Sequence, residues 1–228
     1  MIIYYRQIVS LEVRRKEMRV VKDAEERKNE ILDVADQLFS RKGFEGTSTN
    51  EILEAVGIAR GTLYYHFKSK EDIMDALIER YNTQILEAAQ KAANNKQLTI
   101  YERFMQVILS MQISQYSKES EGLIEEINKP QNLLMHQKIK KMVIQSITPI
   151  LSALIVEGIQ MGLFETAVPY ECMEMIMIYA TTLLDEEIIE LTEEEQYLRI
   201  KAMFINLERM LGCEPGGLNE LTELLGGK

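Results

Sequence analysis

The chain has 228 residues, a formal net charge of −10 and 46% hydrophobic residues, room for one or two domains with proper cores. Its 4 Pro, 12 Gly and 13 Met, with no Trp, favour an all-helical chain. No apolar run approaching the ~18–20 residues of a membrane span is seen, nor any Gly-rich phosphate loop, nucleophile elbow or zinc spacing.

Met1–Lys22 carries Arg14, Arg15, Lys16, Arg19 and Lys22. It reads as a basic arm reaching phosphates or a minor groove. The alternative is a leader ahead of the folded part, with Met18 as a later start. Arg6 and Glu12 interrupt its apolar beginning, which makes it a poor signal peptide, so a cytoplasmic protein is expected.

Residues 23–70 predict three short helices. Asp23 and Glu26 form a capping box, and Ile31, Leu32, Ala35, Leu38 and Phe39 make one apolar stripe. Gly43 and Phe44 suit a Schellman-type end. Ser48 with Glu51 caps the next helix, whose apolar face is Ile52, Leu53, Ala55 and Val56. Gly57 ends it, because glycine takes the left-handed conformation at little cost. The third helix, about Arg60–Phe67, is short and polar around Leu63 and Phe67.

Ser69 with Asp72 caps a fourth helix, so residues 71–94 read as a connector and 95–228 as a helical body. Within the body, amphipathic helices are expected over Thr99–Tyr116 and Glu119–Ile127. Pro130 opens another to about Ile147. Thr148-Pro149 repeats the cap-and-proline pattern, so a kink or a fresh helix to Gly162 is expected there. Pro169 starts a helix to about Ile189, and Thr192 with Glu195 caps the last long one to Leu211. The fold class is all-α: a helix-turn-helix head and a helical-bundle body.

Charge is divided unevenly. Residues 1–70 hold 13 Lys and Arg against 11 Asp and Glu, whereas the remainder holds 13 against 25. A locally basic head on an acidic body is compatible with nucleic-acid binding, since the field at the docking face matters more than total charge. Cys172 and Cys213 make neither a metal spacing nor a disulfide framework. No metal or cofactor is expected. A di-iron bundle enzyme needs two Glu-x-x-His pairs, but Leu63 and Leu133 stand three residues before the only histidines, His66 and His136.

The third helix is crowded with donors and aromatics, as a recognition helix in a DNA major groove must be. Arg60 suits a bidentate guanine contact or a phosphate clamp. Gly61 lets the backbone approach closely, and Thr62 can meet a base or a thymine methyl. Tyr64, Tyr65 and His66 supply hydroxyl and ring contacts, although consecutive residues point about 100° apart and cannot all face one groove. The alternative is one tyrosine in the core and His66 closing the helix. Thr49 and Lys70 lie at helix N-termini, where amides favour a phosphate. Lys68 is either a contact or a solvated charge.

The stretch ILDVADQLFSRKGFEGTSTNEI, the turn AVGIARGTLYYHF and the following KSKEDI resemble, from Ile31 to Leu77, the tetracycline-repressor-like (TetR) transcriptional regulators. The pattern is a helix, Gly with an aromatic, Thr-Ser, a second helix, then Gly-Ile, Gly-x-Leu-Tyr-x-His-Phe and Lys-Glu. The resemblance implies that Tyr65 and His66 mostly meet backbone and that Tyr64 lies closer to bases. Ala59 departs from the pattern: a Ser usually caps the recognition helix there and can touch a phosphate.

The resemblance further implies a homodimer on an inverted repeat, with the last two long helices pairing in a four-helix bundle. The expected interface is Met173, Ile176, Met177, Ala180 and Leu184 on one helix and Leu198, Ala202, Met203 and Met210 on the other. The Met-rich helices before it have spare capacity to enclose a small apolar effector, whose binding would release DNA. Candidate pocket residues are Tyr101, Met105, Met111, Gln112 and Tyr116, then His136, Glu157, Met161 and Tyr179. The rival readings are a core filled by those methionines with no effector cavity, a TetR-like protein that has lost DNA binding and serves as an interaction module, and a helical-bundle enzyme.

Overall fold

The computed structural model describes residues 24–111, 133–183 and 191–219, with backbone alone for 133–136. Among them are eight helices and no strand: α1 (24–42), α2 (Thr49–Val56), α3 (Arg60–His66), α4 (Lys70–Ala93), α5 (Ile100–Ser110), α6 (Leu133–Gln160), α7 (Pro169–Leu183) and α8 (Glu193–Leu211). The described residues divide into two compact units between Glu79 and Arg80, inside α4.

In the first unit α1 is the floor. Ile31, Leu32, Ala35 and Phe39 are buried along one stripe, joined by Ile52 and Leu53 of α2, Leu63 and Phe67 around α3, and Ile73, Met74 and Leu77 of α4. Each terminus has a local cause. Gly43 and Gly57 adopt positive φ, and the Gly57 N–H donates to the Leu53 carbonyl. Ser48 and Glu51 cap α2 reciprocally, satisfying amides that the first turn leaves without partners. Ala55, expected on the apolar face, is exposed.

The second unit holds the larger core. The second half of α4 contributes Ile85, Ala89 and Ala93 at helical spacing. Phe104 and Val107 of α5, Ile147, Leu151, Leu154 and Ile155 of α6, Met173 and Met177 of α7, and Met203, Phe204 and Leu207 of α8 complete it. Helix α6 packs against α5 and α7, and α7 packs against α8. Capping boxes at Thr99/Glu102 and Thr192/Glu195 start α5 and α8. The expected helix over Glu119–Ile127, the start at Pro130 and the end near Ile189 lie outside the described residues.

Helix α6 runs through Pro149, so of the two expected outcomes, a kink or a fresh helix, no fresh helix starts there. A mid-helix proline removes one hydrogen bond and costs about 3 kcal/mol. Here Pro149 and Gln145, four residues back, are both exposed, so water can reach the carbonyl left without a donor. On the opposite side Ile147, Leu151, Leu154 and Ile155 are buried. At roughly 2 kcal/mol each, two such side chains offset the proline. An 18-residue window within Gln137–Gln160 has a mean hydropathy of 1.7, apolar enough by length and composition to cross a membrane. In the fold these residues form a core helix.

Candidate nucleic-acid interface

Helix α3 presents its polar residues outward from a two-residue anchor. Leu63 and Phe67 are buried, whereas Arg60 and Gly61 are exposed and Tyr64 and Tyr65 are 46% and 78% exposed. Two large exposed aromatics on one seven-residue helix cannot be explained by packing in this unit. The Arg60 guanidinium lies 5.9 Å from the centre of the Tyr64 ring, one helical turn on, so these two share a face. Thr62 is half-buried. Ala59 occupies the N-cap with extended backbone and makes no side-chain cap, so α3 starts without the usual oxygen acceptor.

His66 is half-buried at the end of α3, its ring edge-on to Tyr65 at 5.0 Å. Partial burial, with the positive charges of Lys28 and Arg27 on α1, holds its imidazole below the usual histidine range. Lys28 and Arg27 supply positive charge on that side.

Thr49 is half-buried in the first turn of α2. Lys42, at the end of α1, bonds Glu51 at 2.6 Å. That bond and the Ser48 cap hold the Glu51 carboxyl down at about 2. Lys70 does not stand free. Its ammonium donates to the Phe44 carbonyl at 2.6 Å and lies 4.2 Å from the centre of the Phe44 ring. Neither contact was visible in the sequence, where the partners are 9 and 26 residues apart.

Among the described residues, the candidate pocket residues lie in different surroundings. Tyr101 packs edge-on against Phe164 at 5.7 Å, and Met105 and Met111 lie against the core. Glu157 is held by Arg103 and Lys96, so it is not free to meet a cationic ligand. Met161 and Tyr179 are exposed. Gln112, Tyr116 and the His136 side chain lie outside the described residues. The second unit does carry a cleft of about 600 Å³, lined by Ala88, Lys91 and Ala92 of α4, Leu98, and Gln106 and Leu109 of α5. None of the described residues expected in the pocket lines it. Among the described residues no three of His, Cys, Asp or Glu gather as a metal site.

On α7 and α8 the expected interface needs correcting. Met173, Met177 and Met203 are buried in the unit's own core, and Ile176, Ala180 and Met210 pack against it. Leu198 and Ala202 are exposed, and Leu184 lies outside the described residues. Large apolar side chains left outside are Tyr170, Met175, Ile178, Tyr179, Leu198 and Ile205. Both helices are apolar on two faces, and periodicity alone does not say which stripe turns inward.

Comparison with known proteins now bears on these features. The family model for bacterial regulatory proteins of the tetR family matches residues 31–77, and that for tetracyclin repressor-like C-terminal domains matches residues 114–205. The HTH-type transcriptional regulator AcrR of Shigella flexneri is 43% identical over 63 residues, 28% of this chain and 29% of AcrR. The HTH-type transcriptional repressor KstR2 of Rhodococcus jostii is 40% identical over 55 residues, 24% of this chain and 27% of KstR2. The match thus spans less than a third of these relatives' own length, and both are regulators rather than enzymes. A TetR-family protein from Syntrophomonas wolfei has a similar fold, with a TM-score of 0.56 at 22% identity, covering 80% of this chain and 95% of its own. Another, from Mesorhizobium loti, gives 0.55 at 17% identity, with 82% and 96% covered. With a head and a body that both match, the chain belongs to the TetR family of bacterial regulatory proteins.

Proposed function

We propose that this protein is a sequence-specific DNA-binding transcriptional regulator that works as a homodimer on an inverted repeat. The observation that carries the reading is the outward display of Arg60, Tyr64 and Tyr65 on a short helix anchored only by Leu63 and Phe67. Arg60 and Tyr64 are assigned to base edges, with Thr62 and Gly61 beside them. Tyr65, His66 and Thr49 are assigned to the phosphate backbone. One short helix reads too few base pairs to select a site in a genome, and two-fold symmetry doubles the site.

The exposed apolar side chains of α7 and α8 are the surface assigned to the second subunit. A small, mainly apolar effector that binds the body and releases DNA completes the reading, in which the protein is a repressor. A ligand with ~100-fold preference for one of two states supplies about 2.7 kcal/mol toward it.

The test is selection of duplexes from a random pool by the purified protein. Enrichment of an inverted repeat with half-sites about one helical turn (~34 Å) apart, or somewhat more, is expected. A pool that stays random after repeated rounds would overturn the assignment and leave an interaction module as the better reading. Loss of the selected duplex on adding apolar compounds tests the effector; no compound that both shifts melting and releases DNA would remove that part alone.

A further inference from the structure

The hairpin of α4 and α5 has two sides. Ile85, Ala89 and Ala93 of α4 and Phe104, Val107 and Ile108 of α5 are buried in the core of the second unit. Ala88 and Ala92, one helical turn apart, are turned from Ala89 by roughly 60–100° about the axis of α4. With Leu98 and Leu109 they line the cleft of about 600 Å³. Two alanines leave a gap where longer side chains would close it. The volume falls within the ~300–1,000 Å³ of small-molecule sites.

The rim differs in charge from the rest of the body. Residues 71–228 hold 25 Asp and Glu against 13 Lys and Arg, yet no acidic residue among the described ones lines the cleft, whereas Lys91 does. Lys91 is exposed and, among the described residues, has no ion-pair partner. Asn95, in the α4–α5 turn, lines the cleft too. Its side-chain oxygen accepts from the Gln97 N–H at 3.2 Å, which leaves its amide N–H groups as donors.

A helix C-terminus ordinarily repels an anion. Here the last carbonyl of α4, on Ala93, accepts from the buried Arg103. Arg103 and Lys96 both pair with Glu157, two cations to one carboxylate, so positive charge is in excess beside that end. The turn itself is ordered. The Asn95 N–H donates to the Ala92 carbonyl and the Leu98 N–H to the Asn95 carbonyl, each at 3.2 Å. A wall fixed in advance reduces the ordering cost of binding.

We propose that this cleft is a binding site for an amphipathic monoanion, an alkyl carboxylate, on the side of the α4–α5 hairpin away from the core. The tail lies on Ala88, Ala92, Leu98 and Leu109, and the carboxylate meets Lys91 and Asn95 at the rim. From Ala88 to Asn95 the wall is about 10 Å long at ~1.5 Å per residue, the reach of a tail of roughly eight to ten carbons. The proposal does not depend on the DNA-binding reading.

The test is isothermal titration calorimetry of the full chain, without DNA, against octanoate, decanoate, octanol and octyltrimethylammonium below their micelle concentrations. Saturable binding of decanoate is expected, about two- to fourfold tighter per methylene than octanoate. Octyltrimethylammonium is expected to bind more weakly than octanoate. Lys91→Met is expected to weaken octanoate about three- to fivefold, the scale of one exposed ion pair, and to leave octanol unchanged. Ala88→Leu, which keeps a strong helix former and fills the floor, is expected to weaken octanoate and octanol alike. Lys91 is exposed and Ala88 half-buried, and circular dichroism checks that both variants fold. If one does not, the tail series and the cation on the unaltered protein still decide. Octyltrimethylammonium bound as tightly as octanoate would overturn the proposal. So would full octanoate affinity in folded Ala88→Leu, which places the ligand elsewhere, or no saturable binding of either carboxylate. With no DNA in the cell, each of these failures leaves the DNA-binding reading standing.

Discussion

Arg103 and Glu157 meet in a two-pronged ion pair, with Nη1 to Oε1 at 2.7 Å and Nη2 to Oε2 at 2.8 Å. Arg103 is 3% exposed, and its guanidinium also donates to the carbonyl of Ala93, the last residue of α4, through Nε at 2.7 Å and through Nη2. Lys96 adds a bond to Glu157 at 2.6 Å. A single buried arginine on α5 thus holds the end of α4 and the end of α6 together.

Glu157→Gln is therefore expected to destabilise the second unit by roughly 1–3 kcal/mol at pH 7, since it leaves a buried guanidinium partly unpaired. The pH dependence has a definite sign. Bonds from Arg103 and Lys96 lower the Glu157 carboxyl from 4.5 to about 2. Its contribution is present above pH ~4.5 and is lost as the pH falls toward 2. The melting-temperature gap between the unaltered protein and Glu157→Gln should hold from pH 7 to about 5 and shrink below. Glu51, lowered similarly, cancels in that difference. A gap that stayed constant down to pH 2 would mean the pair is not the source.

Ala59→Ser should stabilise the head by about 1 kcal/mol. The cap residue of α3 is exposed, its backbone is already extended, and no side-chain oxygen meets the first-turn amides. A serine there adds an acceptor without displacing anything. Thermal unfolding measures the gain; a variant less stable than the unaltered protein would show that the N-cap geometry does not admit the bond.

What was legible in the sequence was local. Ser48 with Glu51, Thr192 with Glu195, Gly57 and Pro169 each mark a helix end through rules that span four residues or fewer, and each end is where it was expected. What was hidden was non-local. Pro149 carries the same local signal as Pro169, yet burial of the face opposite overrides it. The inward stripe of α7 is set by its neighbours, so Met173 and Met177 went to the core while Met175 and Ile178 stayed outside. Arg103–Glu157 joins residues 54 apart, which no periodicity anticipates.

That outward stripe gives a third prediction. Leu198 and Ile205 are two turns apart on α8 and both exposed, with Ala202 exposed between them. The double variant Leu198→Glu with Ile205→Glu is expected to turn a dimer into a monomer at micromolar concentration, with helicity retained. Charged residues are depleted from the centres of subunit interfaces because they cannot be desolvated there without partners. Light scattering is the measurement. A strict monomer before substitution, or a dimer unaffected by it, would place the interface elsewhere.

The last prediction concerns how α3 divides its work. Residues four apart share a helix face, so Tyr64 goes with Arg60, whereas Tyr65 is turned about 100° away. Arg60→Ala and Tyr64→Ala should each change base preference, at overlapping positions of the half-site, by roughly 1–3 kcal/mol of discrimination. Their effects should also be coupled. The guanidinium lies 5.9 Å from the Tyr64 ring, so removing either side chain frees the other to move. The double variant should therefore lose about 0.5–1 kcal/mol less than the sum of the single losses. Tyr65→Ala, on the neighbouring face, should weaken all sequences alike. Binding measured over a library of single-base changes in the selected duplex separates these outcomes. If Tyr65→Ala altered the preferred base while Tyr64→Ala left it unchanged, the face assigned to the bases would be the wrong one, and α3 would have to enter the groove rotated by about one residue.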